Sequence, residues 1–328
     1  MPTSTFAGPT IRSSELETMK ACRVHRFGPP NVLTTETIAR PVPGEEEVLV
    51  RVKAAGVGPW DAWVRAGKSV VPQPLPLTLG SDLSGVAEAV GTDVTTFEPG
   101  DEVFGVTNAR FTGAYAEYAI ASAGMLAGKP STLDDVRAAS VPVVAVTAWQ
   151  ALFEQARVGP GQTVLIHGGA GNVGAFAVQL AKLAEARVIA TASARDADYV
   201  RDLGADVVVN FHATRFEEVA HNVDVVIDLV GADVQARSFA VLRPGGLLVS
   251  TVSQPDQDLA RSHGVRAVFF LVDVTTMHLT RLAEMIDAGE LTTNVGAVLP
   301  LADARVAHEM LEGTRARPRG KIVLQVNA

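Results

Sequence analysis

Four glycines, Gly168, Gly169, Gly171 and Gly174, crowd the stretch IHGGAGNVG between an apolar strand-like run and the apolar helix-like run NVGAFAVQLAK. A glycine bend at such a junction lets backbone N–H groups and the positive end of a helix approach an anion. Gly169, Gly171 and Gly174 spell G-x-G-x-x-G. With a strand before it, a helix after it and a second strand beyond, that spacing reads as a cradle for a dinucleotide pyrophosphate rather than as a purely structural turn. The second strand, RVIATA, ends at Ala192. A carboxylate at that tip would accept hydrogen bonds from the adenosine ribose of NAD. Here the chain continues with Ser193 and Arg195, a hydroxyl and a guanidinium suited to a 2′-phosphate. NADPH is therefore the predicted cofactor. The competing reading makes Arg195 a solvated helix-start charge whose field is partly offset by Asp196 and Asp198.

The elements that must position this cradle follow from the rhythm of apolar residues. From Gly161 onward, TVLIH, RVIATA, DVVVN, DVVIDLV, LLVSTV and VRAVFFLV read as six strands rich in Val, Ile and Leu. Helix-length segments separate them: NVGAFAVQLAKLAE, DADYVRDLG, FEEVAH, DVQARSFAVL and QDLARSHG. A buried parallel sheet covered by helices requires this alternation, so the fold class is α/β with a doubly wound, six-stranded Rossmann sheet. Upstream, EVLVRVKAAGVG, LSGVAEAVG, PGDEVFGV and GAYAEYAI are short strands punctuated by turns, which predicts a partly closed β structure. The helical stretch DDVRAASVPVVAVTAWQALFEQA joins the two, with Pro142 as a kink or a start. Residues 1–18 are polar and read as an extension; 19–142 with 276–328 form one domain, and 143–275 form the dinucleotide domain. The final strand is predicted to return to the first domain.

Composition excludes several classes. The chain of 328 residues is 47% hydrophobic and 20% charged, an ordinary globular balance. A net charge of −8 and a pI near 5.4 argue against a nucleic-acid partner. The sequence carries neither an apolar run of membrane-spanning length nor a signal-peptide core, which predicts a cytoplasmic protein with no membrane partner. Cys22 is the single cysteine, so neither a disulfide framework nor a multi-thiolate zinc site is available. His167, at a strand end and without spaced partner ligands, reads as a satisfied core or rim residue.

Taken together, PGDEVFGV, GAYAEYAI, GPGQTVLIHGGAGNVGAFAVQLAK, LGAD, RPGG and RGKIVLQV resemble the zinc-independent quinone oxidoreductase branch of the medium-chain dehydrogenase/reductase superfamily, which includes zeta-crystallin. The resemblance runs from Met19 to the end. It implies a GroES-like catalytic domain with a Rossmann domain inserted in it, and substrate in the cleft between them. In the zinc branch the metal is held by a cysteine, a His-Glu pair and a later cysteine. The corresponding places here read AAGVGPWDAW and LGSDLSG, leaving Gly58, Ser81 and Asp82. Without a Lewis acid, reduction of a plain ketone loses its main source of charge stabilisation, worth several kcal/mol. Quinones and α,β-unsaturated carbonyls delocalise the charge themselves, so hydride transfer from NADPH to a conjugated small-molecule acceptor is the predicted reaction, with no metal.

The same resemblance implies that the cleft is lined by Trp60 and Trp63 of the GPWDAW loop, by Tyr115, and by Phe269 near the nicotinamide. The plain alternative for each is core packing, which is preferred for Tyr118. Many relatives carry asparagine at the place of Gly58 and tyrosine at that of Trp63, so two polar groups are missing from this loop. Backbone N–H groups of Asn172 and Val173 are expected at the pyrophosphate. Thr147, Val230, Gly231, Val252 and Ser253 are expected at the strand ends that face the cofactor. Lys321 either approaches the nicotinamide ribose or is a surface lysine on an edge strand. The strand at 265–272 is apolar on both faces and last in its sheet, an edge that invites pairing; in this family it joins two copies, so a homodimer is expected. An alkenal or enone reductase, and a low-turnover NADPH-binding structural or regulatory protein, are the alternative functions.

Overall fold

Eight of the eleven residues of EVLVRVKAAGV are buried and the other three half-buried, and the strand they make organises the first domain. The computed structural model describes residues 17–326, so almost all of the predicted extension at 1–18 lies outside the described residues. In chain order the first domain supplies β1 (Thr18–Val24), β2 (Thr34–Ala39), β3 (Glu47–Val57), helix α1 (Pro59–Arg65), β4 (Leu77–Thr78), β5 (Asp82–Val90), β6 (Glu102–Val106), β7 (Tyr118–Ser122) and β8 (Leu126–Gly128). One edge of β3 pairs with β5. Its other edge is shared, the first half pairing with β7 and the last residues with the C-terminal strand Lys321–Gln325. Eleven residues are long enough to serve three partners, the last of them the strand that ends the described chain.

Two short helices lead out of this domain, α2 (Asp135–Ala138) and α3 (Pro142–Trp149), and a π-helical turn over Gln150–Gln155 follows. Pro142 sits in the first turn of α3, where its missing N–H costs nothing. Nearly every residue of α3 is buried, because it lies between the two domains.

The second domain contains β9 (Thr163–Ile166), α4 (Asn172–Leu183), β10 (Arg187–Ala192), α5 (Ala197–Asp202), β11 (Val207–Asn210), β12 (Val223–Asp228), α6 (Ala232–Ser238), β13 (Leu242–Ser250), α7 (Gln257–Ser262) and β14 (Arg266–Phe269). Its sheet runs β11-β10-β9-β12-β13-β14, parallel throughout, with the strand order reversing between β9 and β12. Ligands of open α/β sheets bind in the crevice at that reversal. Helices α8 (Thr276–Asp287) and α9 (Ala304–Leu311) flank β15 (Val295–Pro300), and β16 (Lys321–Gln325) closes the chain. Both of these strands belong to the first domain's sheet.

Two elements differ from the sequence expectation. The predicted helix FEEVAH is a single 3-10 turn, Phe216–Glu218. Phe216 and Ala220 anchor the segment in the core beneath the sheet, and Asn222 turns the chain with a left-handed φ of 52°. The strand predicted over 265–272 forms a ladder only over Arg266–Phe269. Beyond it the chain leaves the sheet: Val274 is drawn into the core between the domains, and the Asp273 N–H donates to Gln150 Oε1 at 3.0 Å.

Candidate active site

The cradle is shaped by what glycine leaves out. A Cβ on Gly169 would stand 2.9 Å from the Ala190 methyl, and one on Gly174 would overlap the Gly168 carbonyl and come within 2.9 Å of the Gly169 Cα. Their absence lets α4 press against β9 and β10. Gly168 takes a φ of +74°, turning the chain out of β9. Helix α4 then begins after Gly171, so Asn172 and Val173 occupy its first turn, whose N–H groups have no partner within the helix. Across the strand-order reversal, the buried Asp228 carboxylate accepts the Val230 N–H at 3.1 Å, the Gly231 N–H at 2.8 Å and Gln235 Nε2 at 2.8 Å. Gln235 also donates to the Ser253 carbonyl at 3.1 Å. That network fixes the turns that carry Val230, Gly231, Val252 and Ser253, at the carboxyl ends of β12 and β13 on the far side of the strand-order reversal. Thr147 is buried in α3 with its hydroxyl donating to the Val143 carbonyl at 2.6 Å.

At the tip of β10, Ser193 Oγ donates to Asp196 Oδ2 at 2.7 Å and Arg195 Nε reaches the same oxygen at 3.3 Å. A residue that sequence reasoning missed joins them. Arg319 donates to Asp196 Oδ1 at 2.9 Å, with its guanidinium 4.0 Å above the Tyr199 ring. Burial works against the charge on Asp196, but the Ser193, Arg319 and Arg195 donors outweigh it and hold the carboxyl below the ordinary carboxylate range.

Two residues along from Arg319, Lys321 is fully buried rather than a surface lysine. Its ammonium donates to Asp82 Oδ2 at 2.7 Å and lies 4.4 Å from the Trp60 ring centroid. Asp82 Oδ1 accepts the Val143 N–H at 3.2 Å, so this carboxylate also sits at the positive end of α3. Burial lifts the Asp82 carboxyl, and Lys321 pulls in the opposite direction. Lys321 lines the same crevice as Gly171, Asn172 and Tyr199, with its charge engaged by Asp82.

Above this pair the loop after β3 closes. Pro59 opens α1, and Asp61 Oδ2 accepts the Gly58 N–H at 2.8 Å. The Trp60 ring lies over Gly58, where any Cβ would overlap it, and Trp60 Nε1 donates to Ser81 Oγ at 3.0 Å. Trp63, on the same helix, is 50% exposed. Tyr115, expected at the cleft wall, is fully buried: its ring fills the space over Gly80 and its hydroxyl donates to Asp61 Oδ2 at 3.1 Å. Burial pushes Asp61 up to about 7, only partly opposed by the Gly58 N–H and the Lys321 charge. Phe269 is half-buried at the end of β14. His167, buried with Nε2 at 2.9 Å from Ser238 Oγ, is a core residue. No sequence pattern marked Asp61 as the support for Tyr115.

Comparison with known proteins follows this geometry closely. Residues 44–131 match the family described as "Alcohol dehydrogenase GroES-like domain", and residues 203–324 match "Zinc-binding dehydrogenase". The quinone oxidoreductase of Sus scrofa is 32% identical over 324 residues, covering 93% of this chain and 97% of that protein. The solved quinone oxidoreductase from Coxiella burnetii is 35% identical, with a TM-score of 0.89 over 95% of this chain and all of its own. A mycobacterial relative solved in complex with NADPH is 32% identical, with a TM-score of 0.83 over 94% of this chain and 99% of its own.

The zinc named in one family description does not fit the residues present. Gly58 has no donor atom, Ser81 is hydrogen-bonded by an indole, and Asp82 is paired with a cation that would repel a dication. A dinucleotide fits the glycine cradle, whose free N–H groups and bare backbone face the crevice. On these relatives, matched over nearly their whole length, and on a donor set that replaces the metal ligands, the chain belongs to the zinc-independent quinone oxidoreductase branch of the medium-chain dehydrogenase/reductase superfamily.

Proposed function

We propose that this oxidoreductase uses NADPH to reduce a quinone or a similarly conjugated acceptor, without a metal. The observation that carries the reading is the Trp60 ring seated on Gly58 above the Lys321–Asp82 pair, directly beside the crevice of the cradle. An aromatic wall offers an acceptor a flat apolar surface but no Lewis acid, which favours acceptors that delocalise the incoming charge. Preference for the 2′-phosphate is supported by Ser193, Arg195 and Arg319 around the tip of β10, where Ala192 supplies no acid.

The nicotinamide, when bound, supplies a hydride. The residues of this chain do the rest. The first turn of α4, at Asn172 and Val173, and the glycines before it hold the pyrophosphate. The rim of Val230, Gly231, Val252 and Ser253 sets the depth of the cofactor, with Thr147 on the facing helix. Trp60, Trp63 and Phe269 flank the acceptor and exclude water, so that proximity and orientation supply most of the rate. Tyr115 acts from beneath, holding Asp61 and through it the loop that carries Trp60.

Purified, metal-free protein assayed for NADPH oxidation against a panel of quinones beside a panel of enones and enals tests this reading. Fast quinone turnover with little enone activity is the expected result. The reverse pattern makes the chain an activated-alkene reductase, and binding of NADPH without turnover of either panel removes the conjugated-acceptor reading of this cleft.

A further inference from the structure

The three donors assigned above to a 2′-phosphate already hold an anion of the chain's own. The Asp196 side chain, 12% exposed, accepts Ser193 Oγ at 2.7 Å, Arg195 Nε at 3.3 Å and Arg319 Nη1 at 2.9 Å. Arg319 is held in place from below by the Tyr199 ring. A carboxylate so placed offsets one unit of the positive charge that a phosphate would meet. It also stands beside the tip of β10, where an acid accepts hydrogen bonds from an unphosphorylated adenosine ribose. Ala192 at the strand end cannot do this; Asp196, four residues on and folded back through Ser193, can.

Resting on the cofactor reading above, we propose that Asp196 sets the balance between the two nicotinamide dinucleotides. With an unphosphorylated ribose the carboxylate is the acceptor. With a 2′-phosphate, Arg195 and Arg319 turn their remaining N–H groups to the phosphate while Asp196 repels it, so discrimination is weaker than the two arginines alone would give. Asp196→Asn removes the charge and keeps one acceptor oxygen for Arg319, while the amide NH2 on the other side can donate to a rotated Ser193 hydroxyl.

The test measures dissociation constants for fragments that lack the nicotinamide, by calorimetry: 2′,5′-ADP for the phosphorylated ribose and 5′-AMP for the plain one. For Asp196→Asn the ratio of the 5′-AMP Kd to the 2′,5′-ADP Kd should rise about tenfold over the parent, in line with loss of one like charge near the phosphate. A ratio that is unchanged or falls overturns the proposal, because Asp196 would then merely orient the arginines. Asp196→Ser gives the same comparison should the asparagine variant not fold, each variant being checked by its thermal midpoint. Arg319→Gln separates the two claims: if it leaves 2′,5′-ADP binding unchanged, the phosphate reading itself fails, whatever Asp196 does.

Discussion

Lys321 and Asp82 are 239 residues apart in sequence and 2.7 Å apart in space, and both are buried. Gly56 makes the room: a Cβ there would stand 2.9 Å from the Asp82 Cβ and 3.0 Å from the Lys321 Cε. Removing one partner of such a pair strands the other charge. Lys321→Met should therefore destabilise the protein by about 3–5 kcal/mol, and adding Asp82→Asn should recover much of the loss. Urea midpoints for the single and double variants check this; equal midpoints for the single variant and the parent would show that Asp82 is not charged in the fold. Asp61 makes a separate, pH-dependent contribution. Its carboxyl, pushed up to about 7 by burial, keeps its proton in the folded chain while the unfolded chain ionises near the ordinary value of 3.8. Stability from this group therefore falls as pH rises through that window, by at most about 1.4 kcal/mol per pH unit, and levels off above it. His167 and His308, held neutral by burial at about 4 and about 3, act in the opposite sense, adding stability as pH rises toward 6.5. Asp61→Asn should thus gain stability relative to the parent from about pH 4 up to about pH 7, with no further gain beyond, as read from urea melts across that range. A constant difference would mean that Asp61 is ionised throughout.

Glycine positions dominate at the scale of elements. Gly174→Ala has to push α4 away from the Gly168 carbonyl, a backbone atom that cannot yield as a flexible side chain does. NADPH binding should weaken at least about tenfold while the melting transition stays cooperative, because the helix–strand approach serves the pyrophosphate as much as the core. Fluorescence titration with NADPH measures it, and an unchanged Kd would show that the pyrophosphate lies elsewhere. The bend, the six strands and the start of α3 at Pro142 were legible in the sequence because each is a local pattern. The helix predicted over FEEVAH was not, since its length is limited by the chain available to reach β12 and by the burial of Phe216 and Ala220. The π-helical turn over Gln150–Gln155 was equally hidden. Gln150 and Glu154 within it bind the Asp273 N–H and His278, groups brought there only by folding.

For the whole molecule, β14 is the element that looks outward, as the last strand of its sheet. It pairs only with β13, leaving one edge of the second domain's sheet free among the described residues. An apolar edge of that kind is satisfied by a second copy, and the chain should therefore sediment as a dimer at micromolar concentration. A monomer under those conditions would remove the homodimer from the functional picture. Among the described residues no helix is long and apolar enough to cross a membrane. By itself the sequence determined the α/β class, the run of apolar strands of a parallel sheet and the glycine bend, because periodicity, spacing and residue type are local properties of the chain; where metal ligands would stand came from the family resemblance. Only the tertiary structure decided that Tyr115 supports the loop from within, that Trp60 covers Gly58, that Arg319 meets Asp196 and that Lys321 is buried against Asp82. The two basic residues depend on partners more than 100 residues distant, met when β16 returns to β3, and Tyr115 and Asp61, 54 residues apart, meet when the loops of the first domain fold together.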